Sequence, residues 1–311
     1  MMAAQPFTVA CFGEIVMRVS VPDGEMPLQS PRFDAFVGGA EANVAVALAS
    51  HGLAVRMISA LPSGPIGDAA INAIRAHGVD ATRVERREGR MGLYYHIPGG
   101  AFRPAEVLYD RADSAFATMA PGDWNWDDLL VGADWLHLSG VTPALGPQSA
   151  EAALAAVQAA HAAGIGISFD GNWRGRLWER WNDDPAAILR RIVGKATVLF
   201  GNHRDASVLL GRKFRARANP GAVLPRWRFS MNIRPFNMLR LRHDASSARP
   251  ITGSRPGWTR GILSRLPLKS GWNRSGTAWA RAMRSPRAFS MRSGKAAGRK
   301  ARRGRVLHCR R

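Results

Sequence analysis

The chain reads as an α/β protein built on a mostly parallel sheet with helices on both faces, and three observations predict it. Short apolar runs alternate with helix-length segments from Phe7 to Leu210, the pattern of strand–helix–strand units that close into a parallel sheet. Two aromatic-rich runs around Pro98-Gly99-Gly100 break that alternation and read as a hairpin. Beyond Phe214 neither a period of two nor one of 3.6 is sustained, so no regular element is predicted there.

Taken in order, Phe7 to Phe12 is a buried first strand ended by Gly13 and Glu14. Gly38-Gly39 then opens a loop that meets a helix start, and the apolar run Val44 to Ala49 ends before Gly52, a suitable left-handed stop. Val55 to Ala60 is a strand, and Gly64 and Gly67 frame a turn before Asp68, which is expected to cap a helix running to about Ala76. Trp135 to Ser139 is a strand and Pro147 to Ala163 an Ala-rich helix. Ile165–Asp170 and Ala196–Phe200 are strands around a helix over Pro185–Lys195, and Arg204–Leu210 is a helix stopped by Gly211. Parallel sheets bind ligands at the C-terminal ends of their strands, so Gly13, Ser139, Asp170 and Gly201 mark the expected site edge.

Charge divides the chain into two unlike pieces. The total of +21 comes from residues 215–311, where 25 Lys and Arg face a single acid, Asp244. Residues 1–214 hold 19 basic and 22 acidic residues and are nearly neutral. No apolar run is long enough to span a bilayer and no signal peptide is visible, so a cytoplasmic protein without membrane association is expected. Cys11 and Cys309 show neither metal-ligand spacing nor a disulfide framework and read as a core and a tail residue.

Several stretches together resemble the ribokinase-like (PfkB) family of sugar kinases, most closely its 2-keto-3-deoxygluconate kinase branch. They are Gly38-Gly39-Ala40-Glu41-Ala42-Asn43, Gly92-Leu93-Tyr94, Tyr109 with Arg111, Leu136 to Leu145, and Ser168-Phe169-Asp170-Gly171-Asn172-Trp173-Arg174, in order over roughly the first two thirds of the chain. The resemblance implies a Rossmann-type sheet with a small β lid from strands within about 15–37 and 92–111. It also implies transfer of the γ-phosphate of ATP, with Mg2+, to a small-molecule sugar acid.

Carried over residue by residue, Gly39, Ala40 and Asn43 line the sugar, while Tyr94, Tyr109 and Arg111 reach down from the lid. Arg174 pairs with the carboxylate or phosphate, because a guanidinium fork matches planar oxyanions. Asp170, Asn172, Asn202 and Asp205 are implied on the nucleotide side. Each has a plainer reading. The tyrosines could serve only cross-strand packing, Arg111 could be a solvated strand residue, and Arg174 and Arg176 could be ordinary surface arginines. Asp170 could cap a turn and Asp205 could be a first-turn helix acid; His137 is expected to be packed.

Three departures from the family stand out. Asp205 replaces the glutamate of an Asn-x-x-Glu element, and Asp110 places a carboxylate in the lid beside the expected anionic substrate. The Gly-x-Gly-Asp motif, whose amides hold the developing phosphate charge and whose aspartate takes the hydroxyl proton, is missing from residues 215–311, so no catalytic base is assigned. A coding string for Thr-Gly-Asp-Ala-Phe-Ala-Ala-Gly-Val-Leu-His-Ala, read one base later, gives Arg281 to Met291 as they stand. Residues 215–311 are therefore expected to be a frameshifted, disordered segment, and the chain to be inactive. The alternatives are a sugar-acid-binding remnant whose basic tail contacts nucleic acid non-specifically, or a kinase for another sugar such as fructose or ribose. Homo-oligomerisation through the lid is a further expectation.

Overall fold

The computed structural model describes residues 6–214 and the strand Met238–Leu241; apart from that strand, the expectations for residues 215–311 and for Cys309 lie outside the described residues. In chain order the elements are β1 (Thr8–Phe12), β2 (Val16–Ser20), β3 (Asp34–Gly38), α1 (Ala40–Ala49), β4 (Ala54–Pro62), α2 (Pro65–Arg75), β5 (Asp80–Arg87), β6 (Leu93–Ile97) and β7 (Glu106–Asp110). They continue as α3 (Trp126–Leu129), β8 (Trp135–Ser139), α4 (Val141–Ala144), α5 (Pro147–Ala162), β9 (Gly166–Asp170), α6 (Gly175–Trp178), α7 (Pro185–Val193), β10 (Val198–Gly201), α8 (His203–Leu210) and β11 (Met238–Leu241).

The main sheet runs in the order β11-β10-β9-β8-β1-β4-β5, with each neighbouring pair parallel. β1, an interior strand between β8 and β4, shows why the first apolar run is buried on both sides. Val9 and Cys11 point into a core shared with α1 and α2, while Ala10 and Phe12 point into the opposite core under α5 and α7. In the second core Phe12 meets Trp124 and Trp126 edge-on, with ring centroids 5.1 Å and 4.8 Å away. His137 is packed within β8, its Nδ1 3.0 Å from the Ser168 hydroxyl.

A second sheet has the order β3-β2-β6-β7. It contains the hairpin around Pro98-Gly99-Gly100, with Tyr94 paired to Tyr109 across antiparallel β6 and β7. β2 joins it to β3 antiparallel and to β6 parallel.

Two local expectations need correction. Helix α2 begins at Pro65 with Gly64 as its N-cap, so Asp68 sits within the first turn and binds Arg86 at 2.6 Å. Proline at the first helical position is already set to helical φ and has no N–H to satisfy, which starts the helix before the aspartate can cap it. β11 also places a strand in a segment where the sequence showed no element; it pairs with β10 from Val198↔Met238 to Gly201↔Leu241. Among the described residues, no helix is long and apolar enough to cross a membrane.

Candidate functional site

The loop between β3 and α1 is fixed by close backbone approach. Gly39 adopts φ 142°, and a Cβ there would collide with the carbonyl oxygen of Glu14. The glycine therefore lets α1 start directly against the end of β1. Gly39 is also the helix N-cap, and no side chain caps its first turn. Ala40 and Asn43 are half-buried there, whereas Ala42, Val44, Ala45, Val46 and Leu48 are buried and hold the helix in the core.

Two glutamates that sequence reasoning had not assigned a role lie beneath this loop. Glu14, 1 % exposed, receives hydrogen bonds from Arg111 Nε at 2.6 Å and from the Ser114 hydroxyl at 2.5 Å, with Arg111 Nη2 in ion-pair contact at 2.6 Å. Gly92 packs so closely on its carboxylate that a Cβ would overlap Oε1. Glu41, also 1 % exposed, accepts from the Ser139 amide at 2.9 Å and the Thr142 hydroxyl at 3.0 Å. It thereby ties α1 to the end of β8.

Burial pushes the Glu41 carboxyl above its ordinary value of 4.5, against the opposing pull of Ser139, Thr142 and Arg111. The folded chain then retains a proton that the unfolded chain releases. Its contribution to stability is complete below pH 4.5 and declines as pH rises through the raised value. Glu41→Gln is expected to flatten that decline in urea unfolding curves taken at successive pH values; an unchanged slope would place the titration elsewhere. The same burial, with Glu41 nearby, raises the Cys11 thiol far above its usual range, so this thiol stays protonated and unreactive.

Arg111 is 7 % exposed, which removes the reading of it as a solvated strand residue. Its Nε and Nη2 belong to Glu14, so it braces the floor of the site from the lid's edge. Asp110 also differs from expectation. It pairs in register with Leu93, on the face of β7 opposite to Tyr109, and binds Arg90 at 2.6 Å. The alternation of the strand turns this carboxylate away from the tyrosines, and Arg90 offsets its charge.

Tyr94 and Tyr109 share one lid face, their ring centroids 6.4 Å apart and tilted by 54°. Burial raises the Tyr94 hydroxyl, while Arg18, Arg111 and Arg174 lie close enough to act against it. Arg174 is exposed and donates Nη1 to the carbonyl of Trp173 at 3.1 Å.

The remaining residues meet at the ends of β9 and β10. Asp170 is 3 % exposed at the last position of β9, and Asn172 follows with φ 41°. Asn202 caps α8, its side chain accepting from the amides of Arg204 at 2.7 Å and Asp205 at 3.3 Å. Asp205 completes the box by accepting from the Asn202 amide at 2.6 Å, and its other oxygen accepts from the Trp173 amide at 3.0 Å. The first-turn reading of Asp205 thus describes its cap, and the bond to Trp173 adds a tie between two strand-end loops. Among the described residues no group of three His, Cys, Asp or Glu side chains is arranged to hold a metal ion.

The profile described as pfkB family carbohydrate kinase matches residues 7–226. A 2-dehydro-3-deoxygalactonokinase from Haloferax volcanii is 35% identical over 199 residues, covering 64% of this chain and 62% of the relative. The crystal structure of 2-dehydro-3-deoxygluconokinase from Thermotoga maritima superposes with a TM-score of 0.64 at 37% identity, covering 68% of this chain and 65% of that one. Fructokinase from Xylella fastidiosa with bound ATP gives 0.59 at 26% identity, over 67% and 66% of the two chains. The chain therefore spans less than two thirds of the length of these relatives.

Proposed function

Since the chain belongs to the pfkB family of carbohydrate kinases, we propose that its described part holds 2-keto-3-deoxygluconate, or a sugar acid of the same class, for phosphorylation by ATP. The observation that carries this reading is the lid face of Tyr94 and Tyr109, within electrostatic reach of Arg174, beside a glycine loop that opens a helix. Gly39, Ala40 and Asn43 present backbone and amide groups to sugar hydroxyls, and the two tyrosines wall the sugar. Arg174 takes the carboxylate, for which its exposed fork is suited. Arg111 supports the floor through Glu14.

Asp170, Asn172, Asn202 and Asp205 form the polar edge on the nucleotide side. Mg2+ commonly binds through one or two carboxylates together with substrate phosphates, and Asp170 and Asp205 are the carboxylates on this edge. The names of the Haloferax and Thermotoga relatives support an acidic sugar, whereas fructose and ribose remain competing substrates.

Isothermal titration of the full chain with 2-keto-3-deoxygluconate and with fructose separates them. The acid is expected to bind at least about tenfold more tightly, a difference of about 1.4 kcal/mol. Equal or tighter binding of the neutral ketose would overturn the proposal.

A further inference from the structure

Arg18 lies on β2, where the strand register sets it beside Tyr94 of β6 and opposite Phe36 of β3. Tyr94 in turn pairs with Tyr109, so the arginine and both tyrosines share one face of the lid. The guanidinium carbon stands 4.4 Å above the centre of the Phe36 ring, a cation–π contact that orients the side chain without using its N–H groups. Its Nε is buried and donates to no acceptor among the described residues. Protein atoms that seal the Nε keep a ligand from it as well, but the residue as a whole is only half-buried, and no hydrogen bond or ion pair among the described residues engages its Nη groups, which leaves those donors for a ligand oxygen.

Arg18 differs from the other two arginines around Tyr94. Arg111 gives Nε and Nη2 to Glu14, and Arg174 is exposed with Nη1 on a neighbouring carbonyl. Phe36 adds only a ring face beside Arg18; Asp34, further along that face of β3, has a half-exposed side chain and pairs with Arg32, and Asp110 projects to the other side of the lid. Burial and the Arg18 charge both hold His96, further along the same face, below its usual basicity, against the opposite pull of Asp23.

Resting on the sugar-acid reading above, we infer that Arg18 is a lid guanidinium that receives the anionic end of the substrate, a specificity-determining role distinct from that of Arg111, whose Nε and Nη2 are held by Glu14. The carboxylate then lies between Arg18, reaching from the lid, and Arg174, reaching from the loop after β9. Two forks closing on one carboxylate select an acid over a neutral ketose.

The test is calorimetric titration of the full chain, unaltered and as Arg18→Gln and Arg18→Lys, with 2-keto-3-deoxygluconate and with fructose. Arg18→Gln is expected to weaken the acid by about 10- to 100-fold and to leave fructose within about twofold. Arg18→Lys, which keeps the charge and loses the fork, is expected to recover part of the acid's affinity, and it serves as the folded control should glutamine disturb the stack on Phe36. Acid binding that survives both substitutions, or equal losses for acid and ketose, would overturn this inference alone. Failure of the unaltered chain to bind the acid would overturn it together with the proposed function.

Discussion

With Mg-ATP and 2-keto-3-deoxygluconate, the 311-residue polypeptide is expected to turn over below about 10⁻³ s⁻¹, whereas kinases usually run at about 1–100 s⁻¹. The expectation rests on the residues that replace the family's Gly-x-Gly-Asp element. A positioned general base contributes about 10²–10⁴ in rate, and each amide aimed at developing charge contributes about 10²–10³. Residues 215–311 offer one carboxylate, Asp244, between His243 and Ala245-Ser246-Ser247 and without a glycine nest. A coding sequence returned to the frame of Thr-Gly-Asp-Ala-Phe-Ala-Ala-Gly by a single-base change is expected to restore turnover by at least about 10³-fold. Robust phosphorylation by the unaltered polypeptide, or a gene in which no single-base change opens such a frame, would remove this account of the C-terminal segment.

Arg111→Ala is expected to destabilise the fold by about 3–5 kcal/mol, the usual cost of stranding one member of a buried ion pair. Both side chains are almost fully enclosed, at 8 % exposure for Arg111 and 1 % for Glu14. Without the guanidinium, Glu14 keeps only the Ser114 hydroxyl among the described residues. Gly92 packs directly on that carboxylate and closes one side of it to water. Arg111→Met combined with Glu14→Gln is expected to recover much of the loss, since the stranded charge is then gone. Urea unfolding measures both variants; a loss below about 1 kcal/mol for Arg111→Ala would mean that the pair acts as a solvated surface bridge.

Glu14 and Arg111 also show where the sequence stops being readable. Five of the seven strands of the main sheet, β1, β4, β8, β9 and β10, announce themselves as apolar runs, because a parallel strand covered on both faces is apolar on both. Gly52 and Gly211 were legible stops, and they adopt φ 79° and 65°. β5, Asp-Ala-Thr-Arg-Val-Glu-Arg-Arg, was not legible: it is an edge strand whose charges mask the buried Ala81 and Val84.

In the site, the glycine loop and the tyrosine pair could be named from local pattern and resemblance. The buried acids could not, because the partner of Glu14 is 97 residues away and that of Glu41 is 98. A glutamate directly after an apolar strand, at the ligand-binding edge of a parallel sheet, was the one available signal. Arg18 had none, since only the register of β2 against β6 reveals that it shares a face with Tyr94.

A crystal structure of the full chain soaked with 2-keto-3-deoxygluconate tests the central claim most directly. The expected result places the sugar hydroxyls against Gly39, Ala40 and Asn43, under Tyr94 and Tyr109, with the carboxylate on the Arg174 side. A sugar acid found outside that space, or held there with its carboxylate turned away from every arginine, would contradict it.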